Sequence, residues 1–403
     1  MLSLIGLMIG LEFGFERVVT DAAWRQLALL AMVNVIVALS LNVINGMAGQ
    51  FSIGHAGFVG VGAYTGAVVA SNLHVWLFLH QRSESAPLFG NSFIVMPIVL
   101  LSAGAVAGLF GIIVGLPSLR LKGDYLAIVT LGFAEIFRLV IATAQTGGDS
   151  TGGISGALAS LGGQNGYAGP DASHLLKTVT DPAVIARLST YENGGVPQYA
   201  GPFWIFGAVV LCTIIAWRLK FSGWGRALRA LREDEIASAA VGVDPTRYKV
   251  TSFVIAAIGA GVAGGLLASM RDGPPTIQPD QFKFDYSFDV ITMVILGGSG
   301  SVTGAIVGGV FVTFTVKMIE QLQGLASVQA LKAVYPGLDL NALRMVVYAA
   351  VLISLMILRP EGLFGERELF KNAKSKKTSP AKKGPEEPAT PAKAPEPEKT
   401  EAP

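Results

Sequence analysis

Long apolar stretches recur along the chain at residues 24–44, 51–70, 93–116, 125–143, 203–217, 250–270, 290–316 and 343–358, with polar residues gathered between them. A helix needs ~20 apolar residues to cross the hydrocarbon of a bilayer, so several of these stretches span it, and the shortest fit a tilted or half-crossing helix equally well. The pattern predicts an all-α fold: a polytopic transmembrane helical bundle of about 8–10 membrane segments, some broken or re-entrant. Residues 1–10 are apolar but lack a basic leading region and run into Glu12 and Glu16, which reads as a partial or first membrane segment and not as a removable signal.

Charge sets the orientation. Residues 218–249 hold Arg218, Lys220, Arg226, Arg229, Arg232, Arg247 and Lys249, the densest basic loop between membrane segments, and basic loops face the cytoplasm. One crossing back, residues 144–202 are then external, and they carry Lys177 and Arg187 against Asp149, Asp171, Asp181 and Glu192. A further crossing puts 117–124, with Arg120 and Lys122, inside, and another puts 71–92 outside. In the other direction, 271–289 is external and the lysine-rich C-terminus internal. That parity requires the stretch 290–316 to enter and leave on one side.

Its interior supplies the means. Leu296-Gly297-Gly298-Ser299-Gly300-Ser301-Val302-Thr303-Gly304 has four glycines in the eight positions 297–304. Such a run cannot hold a regular lipid-exposed helix, and non-helical backbone at membrane depth survives only where protein or a watery cavity covers it. A second glycine- and polar-rich break runs from Asn42 to Gly57. Interrupted segments in the two halves of a membrane protein point to a transport pathway.

Composition narrows the classes. Of 403 residues, 51% are hydrophobic and 14% charged, against roughly 25% charged in soluble domains, which excludes a soluble enzyme or a disordered chain as the reading of the whole. The net charge of +2 divides unevenly: residues 371–403 hold eight lysines and five glutamates, whereas 1–370 hold 22 basic and 23 acidic groups, so nothing in the body suggests a nucleic-acid surface. The domains expected are a transmembrane body over 1–370 and a disordered Lys/Pro/Glu/Ala-rich cytoplasmic tail over 371–403. Glycine pairs at i, i+4 (Gly62/Gly66, Gly104/Gly108, Gly111/Gly115, Gly261/Gly265, Gly304/Gly308) predict close helix contacts.

Chemistry-bearing residues are few. Gln50, Ser52 and His55 lie where the chain enters the membrane; polar groups there face a cavity or a partner, and His55 is either such a group or a hydrogen-bonded core histidine. Glu135 and Arg138 are spaced for an i, i+3 ion pair. No glycine is followed by lysine, so the phosphate-cradling Gly-x4-Gly-Lys motif is absent, and Cys212 is the only cysteine. No metal site, catalytic residue or cofactor is expected in this chain. The run 226–242 predicts one short amphipathic cytoplasmic helix, ended by Gly242 before Asp244-Pro245, whose charged face is either simply solvated or a docking surface for a separate ATPase.

Four stretches resemble LivM-like inner-membrane permeases of ABC importers for branched-chain amino acids. They are Leu41-Asn42 with Gly49-Gln50-Phe51-Ser52-Ile53-Gly54-His55-Ala56-Gly57-Phe58 and Gly62-Ala63-Tyr64-Thr65; the run from Gly115 to Phe133; the run 226–242; and Leu296 to Gly304. Leu358-Arg359-Pro360-Glu361-Gly362-Leu363 is similar to the family's usual end. The resemblance implies a multi-pass protein of the bacterial inner membrane paired with a LivH-like permease, two cytoplasmic ABC ATPases that bind ATP and Mg, and a periplasmic substrate-binding protein, in contact with membrane lipid and with no nucleic acid. It implies a translocation pathway past Gln50, Ser52, His55, Tyr64, Gly298 and Ser299. It also implies a coupling helix that meets the ATPase through Arg229, Arg232, Glu233, Asp234, Ala237 and Gly242. Related permeases carry urea or short amides, and an ion-coupled secondary transporter is the alternative from another class.

Overall fold

The computed structural model describes residues 17–80, 88–118, 124–144, 160–170 and 195–323, with isolated positions before residue 17 and between 350 and 368. The chain divides into Met1–Glu368 and Leu369–Pro403. The expected tail and most of the apolar stretch 343–358 lie outside the described residues.

The described helices are α1 (Ala22–Asn42), continued by a π-helical turn Val43–Met47, then α2 (His55–His80), α3 (Leu88–Ser118), α4 (Asp124–Thr143), α5 (Pro202–Phe221), α6 (Gly223–Glu233), α7 (Glu235–Ala240), α8 (Pro245–Ala268), α9 (Phe284–Gly297) and α10 (Val302–Gln323). Six of them are long and apolar enough to cross a membrane among the described residues, namely α1 to α5 and α8. The seventh predicted stretch, 290–316, is a helix pair: α9, of 14 residues, is about 21 Å long and too short to cross alone. α10 runs back antiparallel to it, with Gly297 against the Gly304 carbonyl and Gly308 against that of Met293. The stretch is thus a helical hairpin and not one continuous helix.

α1 is apolar on every side, and a helix of that kind belongs in the interior. Every residue from Val33 to Asn42 is buried, beneath α5, α8, α9 and α10. One polar thread crosses this core: Asn34 Nδ2 donates to Thr313 Oγ1 at 2.9 Å and Tyr286 Oη donates to Asn34 Oδ1 at 3.1 Å, joining α1, α9 and α10. α8 fits between α2 and α3 through glycine contacts, among them the predicted Gly62 and Gly261 and also Gly264. A Cβ on Gly62 would lie 2.3 Å from the Gly261 carbonyl oxygen, and one on Gly264 would lie 2.1 Å from that of Val59, so the backbones touch. α4 and α5 lie at the periphery with most of their surface open.

Loop contacts gather at the two ends of the bundle. Loops assigned to the outside meet one another: Tyr167 and Ile277 exchange backbone hydrogen bonds of 2.9 and 3.0 Å, and Ala200 N–H donates to the Ser269 carbonyl at 2.7 Å. At that end Glu12 accepts from the Phe203 backbone N–H at 2.8 Å, capping α5, and pairs with Arg271 at 2.8 Å. The basic segment α6–α7 sits at the opposite end, beside the π turn and the α9–α10 turn.

Candidate functional site

The two glycine-rich breaks, more than 250 residues apart in sequence, meet. Asn42, the last residue of α1, is fully buried and holds the α9–α10 turn with both ends of its amide: Nδ2 donates to the Ser301 carbonyl at 3.1 Å, and Oδ1 accepts from the Gly300 N–H at 2.8 Å. The π turn that follows widens the backbone by one residue and presents Gly46 to Gly300, where a Cβ would lie 2.3 Å from the Gly300 nitrogen. Asn45 clamps the rest of the break, accepting from the Ser52 N–H at 3.2 Å and donating to the Ser52 carbonyl at 3.4 Å. Gly298, predicted for the pathway, stands at φ +116°, a conformation that Cβ-bearing residues avoid, and Ser299 is the half-buried tip of the turn.

A carboxylate that sequence reading missed secures the other side of that turn. Glu368 is buried and accepts from the Val302 and Thr303 N–H groups at 2.8 and 3.0 Å and from Thr303 Oγ1 at 2.7 Å. It thereby caps the N-terminus of α10, where the helix dipole favours an anion. Lys220, from the last turn of α5, pairs with it at 2.5 Å. Burial alone would push the Glu368 carboxyl up, but the hydrogen bonds from Lys220, Thr303 and the two backbone N–H groups outweigh it and hold the group below its usual value. Gly362, in the segment expected to end the body, packs on Gly298.

Gln50, Ser52 and His55 lie next to this junction, all buried. Both amide atoms of Gln50, the Ser52 hydroxyl and His55 Nδ1 have no hydrogen-bond partner within the described structure. His55 is nonetheless anchored: Nε2 lies 2.7 Å from Ser40 Oγ, whose own proton goes to the Val37 carbonyl at 2.7 Å. Nε2 is thus engaged within the core, while Nδ1 has no partner within the described structure. His55 is therefore a hydrogen-bonded core histidine through one nitrogen, and its other nitrogen is unpaired among the described residues. Buried polar atoms without partners are costly unless water or a ligand completes them. Tyr64 is not part of this cluster: it stands nine residues further along α2, about 14 Å away, and donates to the Ile277 carbonyl at 3.1 Å toward the opposite end. Glu135 and Arg138 form the expected i, i+3 pair at 2.8 Å, joined by Asp280 at 3.4 Å.

The single helix expected over 226–242 is two. Asp234 adopts an extended conformation (φ −151°, ψ 115°) and its carboxylate accepts from the Ile236 and Ala237 N–H groups at 2.8 and 2.9 Å, ending α6 and starting α7. A short carboxylate that satisfies orphan N–H groups competes with helix continuation, and here it wins. α7 leaves Ile236 and Val241 83% and 80% exposed, with Glu233, Asp234, Ala237 and Gly242 open beside them. The segment is tied down by Lys249–Glu235 at 2.6 Å and by Trp224 stacked on Tyr248. Arg229 folds back toward the Gly225 carbonyl of its own helix and the Lys220 carbonyl of α5, both at 3.5 Å. Arg232 instead crosses to the π turn, where Nη1 donates to the Gly46 carbonyl at 2.8 Å.

Comparison with known proteins agrees with this architecture. The family described as branched-chain amino acid transport system / permease component matches residues 24–356. The chain is 32% identical to the high-affinity branched-chain amino acid transport system permease protein LivM of Salmonella typhimurium, over 84% of this chain and 69% of that protein. With LivM of Escherichia coli the identity is 30%, over 90% and 74%. The Escherichia coli permease LivH is 32% identical over 42% of this chain and 48% of its own length. No solved structure matches the chain significantly. With its apolar spanning helices and paired breaks, this multi-pass membrane protein belongs to the branched-chain amino acid transport system permease family.

Proposed function

We propose that this chain is one of two unlike permease subunits of an ATP-driven importer of the bacterial inner membrane, carrying branched-chain amino acids. A LivH-like chain is the partner permease, two cytoplasmic ATPases, one of them docked on α6–α7, bind the ATP and Mg that drive the cycle, and a periplasmic binding protein delivers substrate to the external loops. The chain itself takes no cofactor and catalyses no reaction. One observation carries the reading: a short segment with two isolated, almost fully exposed apolar side chains, Ile236 and Val241, sits against the junction of two broken membrane segments. Exposed apolar side chains ringed by charge suit a protein partner, and their place beside the breaks suits a partner that moves them.

Gln50, Ser52, His55 Nδ1, Gly298 and Ser299 are then the inner part of the pathway, and Tyr64 belongs to its outer half. The orphaned polar atoms are those that a passing zwitterion or its water would satisfy. The tail is cytoplasmic. The test is uptake of labelled leucine, isoleucine and valine into proteoliposomes holding both permeases and both ATPases, with binding protein and ATP supplied. Uptake should vanish when either the ATPases or ATP is omitted; uptake driven by an ion gradient without them contradicts the reading.

A further inference from the structure

We propose that Arg232 is the positioning residue through which α6–α7 moves both broken membrane segments, and so sets whether the inner end of the pathway is closed. This rests on the docking role given above to α6–α7, and gives Arg232 a second job besides the one its charge suggested: the residue is exposed, yet its guanidinium reaches the backbone of the break. Its Nη1 holds the Gly46 carbonyl at 2.8 Å. Its stem lies across Gly49, where a Cβ would come within 2.6 Å of Arg232 Cγ and where φ is +67°. Across the same contact Gly300 brings the other break, its Cβ position 3.5 Å from Arg232 Nη1 and 3.2 Å from the Gly46 oxygen.

The connections make one mechanical unit. Arg232 grips the π turn; Asn42, one residue before that turn, grips Gly300 and Ser301; Glu368 and Lys220 fix the following helix start. A π turn is the weakest point of a helix, because its wide hydrogen-bond ring can revert to α by shifting one residue. Gly46, Lys220, Gly225, Arg229, Arg232 and Gly300 line a small cleft of about 30 Å³ between α6 and the two breaks. Tilting α6 with Arg232 attached draws the Gly46 carbonyl with it, and Asn42 transmits the displacement to the hairpin. Glu233 and Asp234, on the exposed side, are left to meet the partner.

The test compares Arg232→Gln and Arg232→Lys with the unaltered chain in the full complex in proteoliposomes, measuring retained ATPase subunits, ATP hydrolysis and amino-acid uptake. In Arg232→Gln the ATPases should stay bound and hydrolyse ATP, while uptake per ATP falls by about tenfold, equivalent to about 1.4 kcal/mol. Arg232→Lys keeps the stem and one donor and should fall between. Equal uptake per ATP in all three overturns the proposal, as does loss of the ATPases from Arg232→Gln, which would make Arg232 a docking contact. If Arg232→Gln does not reach the membrane, the Arg232→Lys ratio decides, and an unchanged ratio overturns the proposal. Failure of the ATPases to bind the unaltered chain would instead refute the docking role.

Discussion

Asn42→Ala isolates the bond between the two breaks. The residue is fully buried and its amide makes two hydrogen bonds to the hairpin turn, at 3.1 and 2.8 Å, so truncation strands the Ser301 carbonyl and the Gly300 N–H together. A stranded buried group costs ~1–3 kcal/mol, and hydrogen bonds between membrane helices measure toward the lower end, so the pair should weaken the closed junction by about 2–4 kcal/mol. At about 1.4 kcal/mol per tenfold, the junction would open roughly 30- to 700-fold more often. Permease pairs reconstituted without ATPases, preloaded with labelled amino acid, should leak it measurably faster with Asn42→Ala, and the apparent melting temperature in detergent should drop. Asn42→Asp keeps an acceptor for Gly300 but faces the Ser301 carbonyl with a second acceptor, so it should leak at an intermediate rate. A leak and a melting temperature both equal to those of the unaltered protein would refute the reasoning.

The Glu368 carboxyl titrates below its usual value in the folded protein, so its contribution is complete above about pH 4.5 and is lost as pH falls through the depressed value. The melting-temperature deficit of Glu368→Gln should therefore be full near about pH 7 and shrink as the unaltered protein is acidified below about pH 4.5; a pH-independent deficit contradicts the assignment. Gly62→Ala places a Cβ 2.3 Å from the Gly261 carbonyl oxygen and 2.5 Å from its Cα, forcing α2 and α8 apart. Overpacking of this kind costs ~1–3 kcal/mol, so thermal unfolding in detergent should shift downward, and an unchanged transition counts against the backbone contact. Replacing Ile236 and Val241 together by Asp should abolish copurification of the ATPases while leaving membrane insertion and melting intact, since neither side chain packs on the bundle. Retained copurification would remove α7 from the docking surface.

The spanning helices were legible because lipid allows little else: a run of ~20 apolar residues has one stable conformation there, and the loop charges then ordered the ends. Both breaks were legible for the complementary reason, since glycine runs such as 297–304 cannot stay helical against lipid. Their meeting was not, because it depends on one buried amide, Asn42, whose partners lie far along the chain. Glu368 carried no signal at all: it is one of several acidic residues after the last apolar stretch, and only the fold brings it to the start of α10. The split at Asp234 was hidden by helix-favouring alanines on one side and arginines on the other, where local capping outweighed propensity. Arg232 looked like part of a charged outer face, and its inward bond to Gly46 follows from the absence of a side chain on Gly49. Tyr64 shares a motif with Gln50 and His55 but not a location, because nine residues of helix separate them.

The central claim is that docking of an ATPase on α6–α7 opens and closes the junction of the two breaks. Ser299, at the tip of the α9–α10 turn, is half-buried, and its substitution disturbs none of the hydrogen bonds described above. With Cys212, the only native cysteine, replaced by Ser, a cysteine at position 299 reports the junction to a thiol reagent applied from the cytoplasmic side. In the full complex, labelling rates should differ by about tenfold or more between the nucleotide-free and ATP-trapped states, and that difference should disappear when the ATPases are removed. Equal rates in both states, with the ATPases bound and hydrolysing ATP, would contradict the account.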